Sequence, residues 1–115
     1  MTYNTETIIA EKYETIIRRN IGTSRARDFY DLYMFFNLYR DSINVEVLKL
    51  AVSRTARKRE SLELLEEWKE ICQDMLTDSE LINLWKNYCD NNSYVGNISF
   101  EDVMDIVLQI SQLIK

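Results

Sequence analysis

The chain has 115 residues, of which 46% are hydrophobic, and it carries a formal net charge of −5. It is therefore long and apolar enough for one domain with a hydrophobic core, which excludes a disordered chain. The absence of proline and the presence of only two glycines disfavour a many-turned β fold, and the absence of histidine excludes Ser-His and Cys-His catalysis.

The spacing of apolar residues predicts an all-α fold, a single bundle of about six helices. Each predicted helix starts at a residue whose side chain is suited to cap it. These start residues, in chain order, are Asn4, Ser24, Asn44, Ser61, Asp78 or Ser79, and Ser99. The first two helices are predicted to end at about Arg19 and Tyr39, and turn residues at 90–97 predict the clearest loop.

The second predicted helix, from about Ser24 to Tyr39, carries apolar and aromatic residues on nearly every side. Such a helix is expected at the centre of a bundle, so we predict that it is the most buried one. Trp68 and Trp85 belong to later helices with acidic surroundings. We predict that both are core residues rather than stacking platforms for nucleic acid.

The two cysteines, Cys72 and Cys89, lack the spacing of a metal site and are predicted to be free thiols. No apolar run approaches membrane-spanning length, and the sequence shows no signal-peptide pattern. We therefore expect a cytoplasmic protein with no membrane partner.

Charge divides the chain into two halves. Residues 1–59 hold eleven Lys and Arg against seven Asp and Glu, whereas residues 60–115 hold three against twelve. Basic residues concentrate at 18–27 and at 54–59, which makes a small RNA-binding bundle one hypothesis. The acidic second half argues against it, and basic residues at 54–59 also suit a solvated helix end.

One cation and two carboxylates fall where core residues are expected. At about 100° per residue, Lys12 lies between Ile8 and Ile16 on one face of the first helix. Asp28 lies within the aromatic stripe of the second helix, and Asp31 is its neighbour three positions on. Because a short turn joins the two helices, they are expected to pack antiparallel, which brings Lys12 toward Asp28.

Two interpretations of these charges remain open. In the structural one, a Lys–Asp pair holds a helix–helix seam, with the lysine stem lying along apolar surface. In the functional one, the ammonium binds phosphate and a carboxylate binds a metal or an attacking hydroxyl. Structural ion pairs are the commoner of the two kinds.

The segment AEKYETIIRR, followed by SRARDFYDLYMF, resembles the C-terminal signature of the AbiEii/AbiGii nucleotidyltransferase toxins. That signature joins an A-E-K cluster, ending in arginine, to R/K-D-x-x-D-L across a helical turn. The matching residues here are Ala10, Glu11, Lys12, Arg18 or Arg19, Arg27, Asp28, Asp31 and Leu32. Thr15 stands where the family has a small residue, which we interpret as a packing change.

The resemblance implies roles for the matched charged residues. Lys12 would contact nucleotide phosphate, and Asp28 would hold the catalytic acid position, as a metal ligand or a general base. Asp31 is a lesser catalytic candidate. The residues implied to face phosphate or RNA are Arg18, Arg19 and Arg27. The family further implies Mg²⁺, an NTP and transfer of a nucleotide to RNA, in some members to tRNA 3′ ends, with a toxic effect in abortive infection and phage defence.

The resemblance also implies a division of labour between domains. In the family, an N-terminal α/β domain supplies a Gly-Gly or Gly-Ser turn and acidic residues on a following strand. Residues 1–115 show no such pattern, so we predict that they form the helical C-terminal domain. This domain would be inactive alone and would need the N-terminal domain or a complementary chain, with an antitoxin as a further partner. The alternative is a non-enzymatic interaction module whose partner covers the aromatic surface of the second helix.

Overall fold

The computed structural model describes residues 4–22 and 25–115. Within these ranges the chain forms seven α-helices and no strand. The helices are α1 (Thr5–Arg19), α2 (Ala26–Tyr39), α3 (Val45–Lys58), α4 (Leu62–Glu66), α5 (Trp68–Thr77), α6 (Ser79–Asn91) and α7 (Phe100–Leu113). The predicted all-α fold is therefore confirmed, and the predicted number of about six helices is close.

Polar side chains begin the helices much as the sequence predicts. Asn4, Asn44 and Asp78 each accept a hydrogen bond from the backbone N–H three residues on, at 2.8, 3.2 and 2.9 Å. Ser99 and Asp102 form a reciprocal capping box at the start of α7. These bonds satisfy N–H groups that have no partner within their own helix. The predicted cap at residue 24 lies outside the described residues.

The fourth predicted helix is two helices in the structure. The backbone leaves helical geometry at Glu67, whose N–H donates to the Leu64 carbonyl at 3.0 Å. The segment before the break, α4, packs on α1 and α3, whereas α5 packs on α7 and α1. The change of direction therefore lets both apolar faces reach the core. Ser61, predicted to open the helix, makes no side-chain cap.

The central helix is α1, so the prediction that the second helix is the most buried one is wrong. Ile9, Ala10, Tyr13 and Ile17 on α1 have no exposed surface, and the helix packs against α2, α3, α4 and α5. In contrast, α2 has one outward face, where Leu38 is 72% exposed. Apolar residues all round a helix indicate burial only when every side of that helix has a neighbour.

The tryptophan and cysteine predictions hold in different degrees. Trp85 is buried, and its indole N–H donates to the Ile98 carbonyl at 3.1 Å, as expected of a core anchor. Trp68 is only half-buried. Cys72 is buried, Cys89 is half-buried, and both are free thiols.

Within the described ranges, every helix is too short or too polar to traverse a lipid bilayer.

Candidate functional site

Lys12 lies where the surfaces of α1 and α2 meet, and it bridges both acids of α2. Its Nζ atom is 3.1 Å from Asp28 Oδ1 and 3.2 Å from Asp31 Oδ2. The short connection between α1 and α2 places the helices side by side, so residues 16 and 19 positions apart meet. The structure therefore brings together the three residues that the sequence singled out as catalytic candidates.

Burial differs sharply among these three side chains. Asp28 is 5% exposed and lies at the base of the group, whereas Lys12 is 30% and Asp31 26% exposed. Asp28 Oδ2 is buried and accepts no hydrogen bond from the described residues. Its neighbour is Arg25, whose Nε is 3.4 Å away. A buried carboxylate oxygen without a hydrogen bond is uncommon and is a feature of functional sites.

Arginines complete the charge of this surface. Besides Arg25, Arg27 lies close, with its Nε 3.7 Å from Asp31 Oδ2 and its side chain 78% exposed. We call Lys12, Arg25, Arg27, Asp28 and Asp31 the Lys12 cluster. It holds three cations and two carboxylates, an excess of positive charge that favours an anionic ligand.

Arg18 belongs to a different set of side chains, which the sequence did not indicate. Its Nε is 2.9 Å from Glu14 Oε2, and Arg59 Nη1 is 2.6 Å from Glu14 Oε1. The Ser61 hydroxyl donates to Glu14 Oε2 at 2.7 Å. We call these four residues the Glu14 network. Glu14 is fully buried, and both of its carboxylate oxygens are paired, two positions along α1 from Lys12. Arg19, the residue after Arg18, is exposed.

The turn between α3 and α4 explains how Arg59 and Ser61 both reach Glu14. Glu60 has a left-handed backbone, with φ of 57°. Its N–H donates to the Arg57 carbonyl and that of Ser61 to the Ala56 carbonyl, at 3.3 and 2.8 Å. This is a Schellman motif with glutamate at the position where glycine is usual. The reversal points the residues on both sides of Glu60 at the same carboxylate.

Thr15, the departure from the family signature, takes part in the same region. Its hydroxyl donates to the Glu11 carbonyl at 2.8 Å and accepts a hydrogen bond from Arg59 at 3.0 Å. The residue therefore does more than fill space, because it adds a second acceptor for the Arg59 guanidinium.

A tyrosine cluster, also not indicated by the sequence, lies beside the Lys12 cluster. Tyr30 is 5.1 Å from Tyr94 and 6.3 Å from Tyr88, measured between ring centroids, and the Tyr88 and Tyr94 hydroxyls share a hydrogen bond. Burial raises the pKa of Tyr88, the bond to Tyr94 and the charge of Asp31 raise it further, and Arg27 lowers it. Asp31 and Arg27 are thus electrostatic neighbours of this ring.

The described residues fit part of a Mg²⁺ site. They contain no group of three or more His, Cys, Asp and Glu side chains able to hold a metal ion. Asp28 Oδ2 nevertheless offers one carboxylate oxygen that accepts no hydrogen bond from the described residues. In sites of phosphate chemistry, Mg²⁺ is commonly held by one or two carboxylates together with substrate phosphates. Asp28 therefore fits the role of a single ligand.

The fold and the Lys12 cluster define an all-helical domain with a charged, half-open candidate site for an anion. A family model described as the nucleotidyl transferase AbiEii toxin of type IV toxin–antitoxin systems matches residues 1–106. The chain therefore belongs to the AbiEii family, which confirms the resemblance seen in the sequence. Membership of a toxin–antitoxin family implies an antitoxin partner. No curated protein and no solved structure gave a significant match.

Proposed function

We propose that the Lys12 cluster is the helical half of a nucleotidyl-transfer site, which passes a nucleotide from an NTP to RNA. The observation that supports this most is the half-open bridge from Lys12 to Asp28 and Asp31 above a buried carboxylate oxygen that accepts no hydrogen bond from the described residues. A purely structural pair is normally satisfied on all its buried atoms. Family membership supports the same chemistry.

In the proposal, Lys12 is the phosphate-binding cation. Its ammonium is close enough to the surface, at 30% exposure, to turn from the two carboxylates toward a triphosphate. A charge-assisted contact of this kind is stronger than a neutral hydrogen bond. Asp31 holds Lys12 from the solvent side and acts as its positioning residue.

Asp28 is the proposed catalytic carboxylate. Its Oδ2 accepts no hydrogen bond from the described residues and lies 3.4 Å from Arg25 Nε, so we assign to this oxygen the binding of a Mg²⁺ ion or the acceptance of the proton of the attacking hydroxyl. The hydroxyl oxygen forms a bond to the α-phosphorus as the bond to pyrophosphate breaks. When bound, Mg²⁺ would offset the negative charge of the phosphates.

Arg27 and Arg19 are the proposed contacts for the phosphates of NTP or RNA, because both are exposed. Arg18 has no part in the proposal, since its guanidinium is held by the buried Glu14. We propose that the remaining Mg²⁺ ligands and phosphate contacts come from an N-terminal α/β domain or a complementary chain. This completion is consistent with the Lys12 cluster having one carboxylate oxygen, Asp28 Oδ2, that accepts no hydrogen bond from the described residues.

The test is transfer of a labelled nucleotide to RNA, in a preparation that contains the complementary domain or chain. We expect Lys12→Met and Asp28→Asn each to lower the rate by about 10²–10³-fold, the usual effect of losing one group that stabilises or deprotonates the reacting atoms. Lys49→Met removes the same charge from the surface of α3 and is expected to leave the rate unchanged. Full activity in both site variants would refute the assignment.

The alternative, a non-enzymatic interaction module, is favoured by one observation. The outer face of α2 exposes Met34 at 43%, Leu38 at 72% and Tyr39 at 37%. Met34 and Leu38 are four residues apart and share one face of the helix, and exposed apolar surface of this kind marks many protein interfaces. This alternative predicts no nucleotide binding at the Lys12 cluster and a partner whose binding is weakened by Leu38→Lys. Isothermal titration with an NTP and with the antitoxin separates the two proposals.

A further inference from the structure

A groove of about 400 Å³ lies between the first turn of α2 and the second half of α6, beside the Lys12 cluster. Its volume is within the range of small-molecule sites. The residues used in the argument are Arg25 and Arg27 on one wall, and Asn87, Tyr88 and Asn91 on the other. We call it the α2–α6 groove.

Tyr88 gives this groove a fixed aromatic ring. The ring packs 5.7 Å from Trp85 and 6.3 Å from Tyr30, measured between centroids, and its hydroxyl is hydrogen-bonded to Tyr94. These contacts hold the ring in one orientation, and Tyr88 also lines the groove, so a ligand there meets an aromatic side chain whose conformational entropy is already lost. Stacking on a fixed aromatic ring is a common way in which proteins hold unpaired bases.

The rest of the wall on α6 is polar and uncharged. Asn87 and Asn91 are both exposed and, four residues apart, share one face of the helix. Each amide carries both a donor and an acceptor, which matches the edge of a nucleobase. An apolar peptide would leave these amides without partners, so the wall favours a flat ligand with a polar edge.

The opposite wall supplies positive charge and connects the groove to the proposed site. Arg25 Nε is 3.4 Å from Asp28 Oδ2, and Arg27 Nε is 3.7 Å from Asp31 Oδ2. The two guanidinium groups thus lie between the groove and the carboxylates that Lys12 bridges. Guanidinium is well suited to phosphate because it presents paired N–H donors.

We propose that the α2–α6 groove binds one nucleotide unit, with its base on Tyr88 and its phosphate against Arg25 and Arg27, facing the Lys12 cluster. The inference rests on the proposed function, because it places a nucleotide next to the transfer site. Two sources present this chemistry, a free NTP and the terminal nucleotide of a single-stranded RNA.

The experiment measures binding to the full chain. A short fluorescein-labelled single-stranded oligoribonucleotide is titrated with protein, by fluorescence anisotropy, and each of the four unlabelled NTPs is then used as competitor. Arg27→Gln is compared with Lys86→Gln, which removes one positive charge from α6 outside the groove. Asn91→Ala is compared with Asn83→Ala, an exposed asparagine of α6 that does not line the groove. Circular dichroism verifies that all four variants are folded.

We expect Asn91→Ala to weaken binding by about fivefold, the effect of losing one hydrogen bond. Arg27→Gln is expected to weaken it and to lower the dependence of log K on log salt by about 0.7, as for one lost phosphate contact with a single strand. The two control variants should bind like the wild type. Displacement of the RNA by an NTP assigns the groove to the free nucleotide, and its absence assigns the groove to the RNA end.

Three results would overturn the inference: no binding of either the RNA or an NTP, control variants that lose as much affinity as the groove variants, or groove variants that bind like the wild type. Its failure can be distinguished from failure of the proposed function. If transfer is lost in Lys12→Met while all groove variants bind like the wild type, the site stands and the groove is refuted. If Lys12→Met keeps full transfer activity while the groove variants lose binding, the groove stands and the role of Lys12 in transfer is refuted.

Discussion

Replacing Glu14 with glutamine tests whether the Glu14 network stabilises the bundle. The carboxylate is fully buried and accepts hydrogen bonds from Arg18, Arg59 and Ser61, at 2.9, 2.6 and 2.7 Å. Glutamine keeps the size of the side chain but removes its charge. We therefore expect the two guanidinium groups to lose their counter-ion while the Ser61 hydroxyl keeps an acceptor.

The expected loss is about 3 kcal/mol in the free energy of unfolding. Breaking a buried ion pair by removing one partner costs about 3–5 kcal/mol, because the other charge is left uncompensated. Here the cost lies at the lower end, since the Arg18 and Arg59 side chains are 33% and 35% exposed and can turn to water. For a domain of this size, the melting temperature should fall by about 10 °C.

Urea unfolding followed by circular dichroism measures this change. Glu11→Gln makes the same substitution at a half-exposed position of α1 and is the matched control. A double-mutant cycle with Arg59→Gln should give a coupling energy of about 1–2 kcal/mol, because the two side chains are in direct contact. A loss in Glu14→Gln no larger than in Glu11→Gln would refute the reasoning.

Two further predictions concern single residues. Glu60→Gly should raise the free energy of unfolding by about 1 kcal/mol, because glycine adopts the left-handed φ of 57° without strain. Glu60→Ala keeps the strain and should not raise it. Equal urea midpoints for the two variants would contradict this prediction. Burial raises the pKa of the Cys72 thiol to about 11, and burial and Asp90 also raise the pKa of Cys89. Because Cys72 is buried and Cys89 only half-buried, a thiol reagent at pH 8 should label Cys89 well before Cys72. Because the pKa is raised in the folded state, Cys72 contributes to the free energy of unfolding below the ordinary thiol pKa of about 8.5, and this contribution should be lost as the pH rises through 11. The Cys72→Ala variant should not show this loss. Equal labelling rates would show that Cys72 is accessible.

The meeting of Lys12 with Asp28 and Asp31 could be predicted from the sequence because it depends on local features. Helical periodicity placed each charge on an apolar face, and a short turn between the helices left few ways for them to pack. The caps at Asn4, Asn44 and Asp78 were predictable for the same reason, since each bond spans three residues.

The Glu14 network was missed although a signal was present. On a helical wheel, Glu14 falls within about 60° of Ala10 and Ile17, both of which are fully buried. The apolar residues of α1 therefore surround the helix, which also indicates its central position. The partners Arg59 and Ser61 lie 45 and 47 residues away and reach Glu14 through the left-handed turn at Glu60. Glutamate gives little sequence signal for such a turn.

The α2–α6 groove was beyond sequence reasoning for a different reason. Its walls come from residues about 60 positions apart, and only the packing of α2 against α6 decides that they face each other. The break at Glu67 is similar, because no proline or glycine marks it. Both depend on tertiary contacts that override local preference.

The two charged groups on α1 show how burial and hydrogen bonding separate a structural ion pair from a candidate site. Glu14 is fully buried, and both of its oxygens accept short hydrogen bonds, so binding a ligand there would require breaking bonds that hold α1 to the α3–α4 turn. Two residues earlier, Lys12 is partly exposed and its partner Asp28 keeps a buried oxygen that accepts no hydrogen bond from the described residues. A ligand at Asp28 Oδ2 would displace the 3.4 Å ion pair with Arg25 but would break no hydrogen bond to that oxygen from the described residues. That difference, rather than the number of charges, is why the proposed chemistry is assigned to Lys12 and Asp28 and not to Glu14 and Arg18.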